Sequence, residues 1–273
     1  MKRQAGVVLL YAALVAGALM ALFPMVWMVS ASLMPTGEAT SFPPRLVPSH
    51  PTGEHYRTLF TRLNLGRYLL NSAIVALTVT GVSLFVNSMA GYAFAKLRFR
   101  GRDRLFRALT TGLVIPVQVA MLPLFLLMKE LGMINTYWGV IVPGLASIFG
   151  IFLVRQYALS IPDDLLDAAR IDGAGELRIY WSVVLPTIRP ILATLAIWTF
   201  LSTWNDFMWP LIVLSDESRF TLPVALANLS GEHVSDTELM MAGSVLTVLP
   251  VMLVFLFLQR FYIAGITAGS VKG

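Results

Sequence analysis

The sequence predicts an all-α membrane protein with six transmembrane helices and both termini in the cytoplasm. Three observations predict it. Of the 273 residues, 57% are hydrophobic and only 13% charged, against about 25% charged in a soluble globular domain. Apolar runs at 7–31, 71–95, 108–128, 137–154, 191–214 and 241–259 each approach the ~20 residues that cross a bilayer, and Asp206 is the only charge in any of them. If the N-terminus is cytoplasmic, the inside segments hold fourteen Lys and Arg and the outside segments six, the bias that sets membrane orientation. The whole chain, 1–273, reads as one transmembrane domain.

The first run follows Lys2-Arg3 as a secretory signal would, but at 25 residues it exceeds a typical signal core, and an uncleaved span is expected. The outer segment 32–70 is rich in Pro and Gly, with Tyr56, Leu59 and Phe60 available for a membrane surface. It is either a docking surface or a solvated connector. Lys96 to Arg107 then carries six basic residues, which report orientation, so the net charge of +5 does not point to nucleic acid. Pro116 and Pro123 in the third run and Pro143 in the fourth remove backbone donors and kink helices, as breaks that line a pathway do. Gln118, between two of these prolines, faces that pathway or bonds to a neighbouring helix.

Residues 155–190 are polar enough for water yet lie between two apolar runs. Ser160 and Pro162 start a helix, and Asp163 and Asp164 put negative charge in its first turn, where the helix dipole favours it. Leu165, Leu166, Ala169 and Ile171 give it an apolar face, and Asp172-Gly173 ends it. A second amphipathic run, Leu177, Tyr180, Val183 and Val184, continues until Pro186 and Pro190 turn the chain back. Two short helices with a small-residue elbow make a knob suited to a cleft on another protein.

In the fifth run, Trp204-Asn205-Asp206-Phe207-Met208-Trp209-Pro210 places a carboxylate roughly 22 Å along the helix from Ile191, at ~1.5 Å per residue. A membrane carboxylate is costly unless it works, and Asn, Asp and Trp together suit a sugar. An interfacial aromatic belt with its acid in headgroup water reads the same. The segment 215–240 is acidic, with Asp216, Glu217, Glu232, Asp236 and Glu238 against Arg219. The chain has no cysteine, and His50, His55 and His233 lie apart, so no metal site is expected. No Gly-x-x-x-x-Gly-Lys-Ser/Thr occurs, and no nucleophile–base set suggests catalysis.

Asp167-Ala168-Ala169, Gly173 four residues on, and Val183-Val184-Leu185-Pro186 ten residues further resemble the cytoplasmic EAA loop of ABC-importer permeases. Asp stands for the family's Glu and Val for its Ile. The stretch Trp204 to Phe207, the Pro-rich first outer segment and the small-residue tail after Gln259 resemble the carbohydrate, maltose-permease-like branch. The resemblance implies a type I importer fold in the inner cell membrane, passing a sugar inward by alternating access. It implies a second homologous permease subunit, two ATP-binding subunits carrying ATP and Mg, and an extracytoplasmic sugar-binding protein, all within membrane lipid. Asp167, Ala168, Ala169, Asp172, Gly173, Leu185 and Pro186 would then couple to the ATPase, and Gly269 and Lys272 of the tail would touch it. Gln118, Trp204, Asn205 and Asp206 would belong to the substrate pathway. The competing readings are a permease for another solute and a self-sufficient secondary transporter or channel. The latter would need several midplane ionisable groups and internal repeats.

Overall fold

The computed structural model describes residues 2–43, 45–232 and 236–270, and the described residues are helices and connecting turns without strands. In chain order the helices are α1 (Lys2–Ala31), α2 (Glu54–Thr61), α3 (Leu65–Lys96), α4 (Arg102–Thr111), α5 (Val117–Glu130), α6 (Tyr137–Ile141) and α7 (Ile148–Ala158). There follow α8 (Asp163–Ile171), α9 (Glu176–Ile179), α10 (Leu185–Thr187), α11 (Arg189–Trp204), α12 (Met208–Val213), α13 (Leu222–Glu232) and α14 (Thr237–Ser270). Four stretches are long and apolar enough to cross a membrane, Gly6–Ala31, Leu65–Lys96, Tyr137–Ala158 and Thr237–Phe257, and six if two bent pairs each count as one span.

Neither the run 108–128 nor the run 191–214 is one straight helix. The run 108–128 is not one helix: Arg102–Val114 and Val117–Glu130 diverge by 108°. Pro116 cannot donate to a helix and forces the residue before it out of helical conformation, and Ile115 is accordingly extended at φ −81°, ψ 117°. The run 191–214 also fails to continue, because α11 stops at Trp204 and α12 begins only at Met208. Pro210 lacks the N–H that the Asp206 carbonyl would need, and the Asp206 carboxylate accepts from Trp209 N at 3.4 Å instead. The remaining prolines inside long helices, Pro24, Pro123 and Pro250, leave those helices continuous.

The residues form two compact units, 1–67 with 225–250 and 68–224 with 251–273. In the first unit the segment after α1 is folded, not a loose connector. His55 is buried and its Nε2 lies 2.8 Å from Met34 O, while Ser32 and Tyr56 hydroxyls meet at 2.8 Å. Glu238, fully buried at the start of α14, accepts from Ala39 N at 2.7 Å. Leu59, expected at a membrane surface, is buried, and of Tyr56 and Phe60, expected there with it, only Phe60 is exposed.

In the second unit α3 packs on α7 closely enough that a Cβ at Gly91 would lie 2.6 Å from Val154 Cγ1. One core joins the end of α3 and α7 to residues 161–195, through Tyr92, Val154, Leu166, Ile179, Val184 and Leu195. Another gathers Val75, Val79, Met128, Ile141, Trp209 and Val213, where Trp209 Nε1 donates to Gly139 O at 3.1 Å. These two cores fix, respectively, the knob and the α11–α12 break.

Candidate functional site

The knob begins where Lys96, at the end of α3, takes hold of it. The Lys96 side chain is only 7% exposed, and an ammonium so enclosed needs partners. It donates to Ile161 O at 2.6 Å and to Asp163 Oδ1 at 2.7 Å. That hydrogen bond and charge hold the Asp163 carboxyl below its ordinary range. Pro162 precedes α8, and Asp163 and Asp164 occupy its first turn, as the dipole argument expects.

Helix α8 then divides its apolar residues. Leu166 is buried and Ala169 packs against the same core, whereas Leu165 and Ile171 point outward, Ile171 at 86% exposure. In the next segment Ile179, Tyr180 and Val184 are buried, and Leu177 is 66% exposed. Burial of Leu166 and Ile179 contributes roughly 2 kcal/mol each toward seating the knob. Their exposed counterparts make an apolar surface on a polar loop, which a partner can cover.

The elbow is a Schellman turn. Gly173 has φ +80°, its N–H bonds Arg170 O at 3.0 Å, and Ala174 N bonds Ala169 O at 3.0 Å. Around it runs a chain of polar side chains. Arg170 donates to Asp167 at 2.6 Å and to Glu176 at 2.9 Å, and Glu176 accepts from the Tyr92 hydroxyl at 2.6 Å. Arg170 first, then Tyr92, holds Glu176 below the usual carboxylate range. Nearby, the Tyr180 and Ser88 hydroxyls meet at 2.6 Å. The knob is therefore pinned to α3 at Tyr92, Ser88 and Lys96.

Of the residues expected to couple, Asp167, Ala168, Asp172 and Gly173 are exposed around the elbow, and Ala169 is half-buried. Asp167 is engaged by Arg170 of its own helix, with 61% of its side chain still exposed. Leu185 and Pro186 open α10, beneath a wide turn at Tyr180–Val184 that sequence reasoning missed. Its signal was Pro186, which offers no N–H to the Ser182 carbonyl. Also missed were Ser88, Tyr92 and Glu176. Tyr92 and Ser88 sit in an apolar run, and only three-dimensional packing brings them to the loop.

The expected pathway residues differ in burial and in their partners. Gln118 is exposed in the first turn of α5 and makes no hydrogen bond among the described residues. Trp204 is buried at 2% exposure and stacks on Phe200 with centroids 5.6 Å apart. Asn205 is exposed and donates to Leu201 O at 2.9 Å. Asp206 lies at the break before α12 and caps its N–H groups. Gly269 belongs to α14, which runs on to Ser270, and Lys272 lies outside the described residues.

Residues 87–267 match the family described as binding-protein-dependent transport system inner membrane component. The chain is 40% identical over 259 residues to the arabinooligosaccharides transport system permease protein AraQ of Halalkalibacterium halodurans, covering 94% of this chain and 93% of that one. It is 33% identical over 266 residues to the diacetylchitobiose uptake system permease protein NgcG of Streptomyces coelicolor, covering 96% and 88%. Its fold matches a chain in the crystal structure of a bacterial ABC transporter involved in import of the acidic polysaccharide alginate, with a TM-score of 0.83, 26% identity, and 95% and 97% of the two chains covered.

Proposed function

The chain belongs to the inner-membrane components of binding-protein-dependent transport systems, and from that premise we propose that it is the permease subunit of an ATP-driven sugar importer. The similar permeases for arabinooligosaccharides and diacetylchitobiose support a sugar of more than one unit as the solute. An external binding protein delivers it, a second permease subunit completes the channel, and two ATPase subunits supply the energy, with ATP and Mg bound on those subunits. Both termini and the knob face the cytoplasm, a reading supported by the fourteen-to-six bias in Lys and Arg.

The observation that carries this function is the knob itself. It exposes Ile171 and Leu177 around a rigid elbow while three side chains of α3 hold its other face. Such a body transmits force from a docked ATPase to a span. Cysteines at Ile171 and Leu177, in this cysteine-free chain, are expected to cross-link to the ATPase subunit in the assembled complex. ATP-dependent uptake of labelled oligosaccharide by proteoliposomes of that complex completes the test. Uptake that proceeds without the ATPase subunits, with neither cysteine cross-linking, would replace this reading with a secondary transporter.

A further inference from the structure

We propose that the arginine-lined hollow at the turn from α3 into α4 binds the phosphodiester headgroup of an anionic phospholipid. The hollow is open, with a volume of about 1150 Å³, and is lined by Arg98, Arg100, Arg102, Arg104 and Arg107 together with Phe99, Gly101 and a single acid, Asp103. Gly101, at φ +84°, folds the chain so that arginines on both sides of it line the same space.

The nearby acids are already matched. Asp103 pairs with Arg102 at 3.0 Å, and Asp163 pairs with Lys96 at 2.7 Å. Arg98, Arg100 and Arg104 are exposed, and their side chains make no hydrogen bond or close ion pair among the described residues, although the Arg98 charge helps hold Asp163 ionised. Guanidinium groups of this kind bind phosphate oxygens in pairs, and basic clusters beside a span attract anionic headgroups.

A free phosphate would satisfy the arginines equally, but the surroundings favour a lipid. Phe99 lines the same hollow at 43% exposure, and Leu105 on the next turn is 56% exposed. Leu113, Val114 and Ile115, at the far end of the same segment, are exposed as well. The segment holding α4 diverges from α5 by 108°, so an α5 that crosses the bilayer leaves α4 close to its plane. Headgroup charge and acyl chain then meet complementary surfaces on one short stretch.

The test uses the purified full chain in a nonionic detergent, with bound lipid counted by native mass spectrometry. Dioleoylphosphatidylglycerol is expected to bind in preference to dioleoylphosphatidylcholine, and millimolar inorganic phosphate should not displace it. Replacing Arg98, Arg100 and Arg104 by Gln should weaken phosphatidylglycerol binding roughly a hundredfold, at about fivefold per lost cation, and leave phosphatidylcholine unchanged. The matching Lys variants should keep most of the affinity and guard against misfolding as the cause. Equal binding of the two lipids, unchanged binding by the Gln variant, or displacement by inorganic phosphate would each overturn the proposal. So would loss of ATPase-subunit retention by the Gln variant with its lipid count unchanged, because the turn would then dock protein.

Discussion

Tyr92 and Glu176 come from a membrane helix and an elbow 84 positions later, and one 2.6 Å hydrogen bond joins them. Tyr92→Phe removes only the hydroxyl. A hydrogen bond to a half-exposed carboxylate contributes about 1 kcal/mol, so the thermal midpoint of the purified chain should fall slightly. Transport per ATP hydrolysed should fall much more, because the knob loses its link to α3. Unchanged coupling would assign the link to Lys96 and Ser88 alone. At Gly173 nothing lies within 4 Å of a Cβ, so conformation rather than room is limiting within the chain. Gly173→Ala should cost about 1 kcal/mol for its positive φ, Gly173→Val more, and Gly173→Asn least. Retention of the ATPase subunit on a column should follow that order if the turn's shape matters. Asp206 offers a cleaner division of roles. Asp206→Asn keeps an acceptor for the α12 N–H groups, whereas Asp206→Ala removes it at a cost of about 1 kcal/mol. Uptake lost in both variants assigns a function to the charge; uptake lost only in Ala assigns Asp206 to capping.

Between single residues and the whole chain, local chemistry decided which elements the sequence disclosed. Apolar length marked α1, α3 and α14 well, since a helix is the way a long apolar run satisfies its backbone in lipid. The knob was legible too: Pro162, the paired acids and Asp172-Gly173 each act through neighbours in the chain. Which proline breaks a helix was not. Pro123 sits within a continuous α5, whereas Pro116 follows a tightened turn at Gly112–Val114 and ends it. Asn205 and Asp206 suit a sugar's hydroxyls in the sequence, though short polar side chains that bond their own backbone also stop helices. The polar chain linking knob to α3 depends on packing between distant segments and leaves no pattern in one sequence. Its titration gives a pH expectation. Asp163 and Glu176 both have depressed carboxyl values in the folded chain. Their stabilising contribution is therefore fully present above the ordinary carboxylate value near ~4.3 and is lost as pH falls through the lower folded values. Amide-exchange protection within 160–180, corrected for the intrinsic pH dependence of exchange, should stay constant from about pH 6 to 5 and fall below about pH 4. A loss of protection already complete by pH 5 would mean that other groups control the knob.

For the molecule as a whole, the apolar window of α1 has none of its residues buried within the chain. A helix exposed on every side is stable in lipid or against a partner subunit, and in water it would drive aggregation. Membrane embedding thus follows from surface as well as composition, and orientation is the remaining question at this scale. The two orientations differ in where they place Lys96, Arg98, Arg100, Arg102, Arg104 and Arg107. The cytoplasmic placement agrees with the charge rule and puts the knob on the same side, where an ATPase can reach it, because two crossings separate the arginines from the knob if the bent pair Arg102–Val114 and Val117–Glu130 is one span. The outer placement would expose the knob to a compartment without ATP and would leave its apolar Ile171 and Leu177 without the proposed partner. A phosphatase reporter, active only outside, fused after Gly53 should be active, and the same reporter after Arg104 should be silent. A cytoplasm-active reporter should give the reverse. Phosphatase activity at Arg104 would invert the chain, and with it the knob would lose its access to ATP-driven subunits.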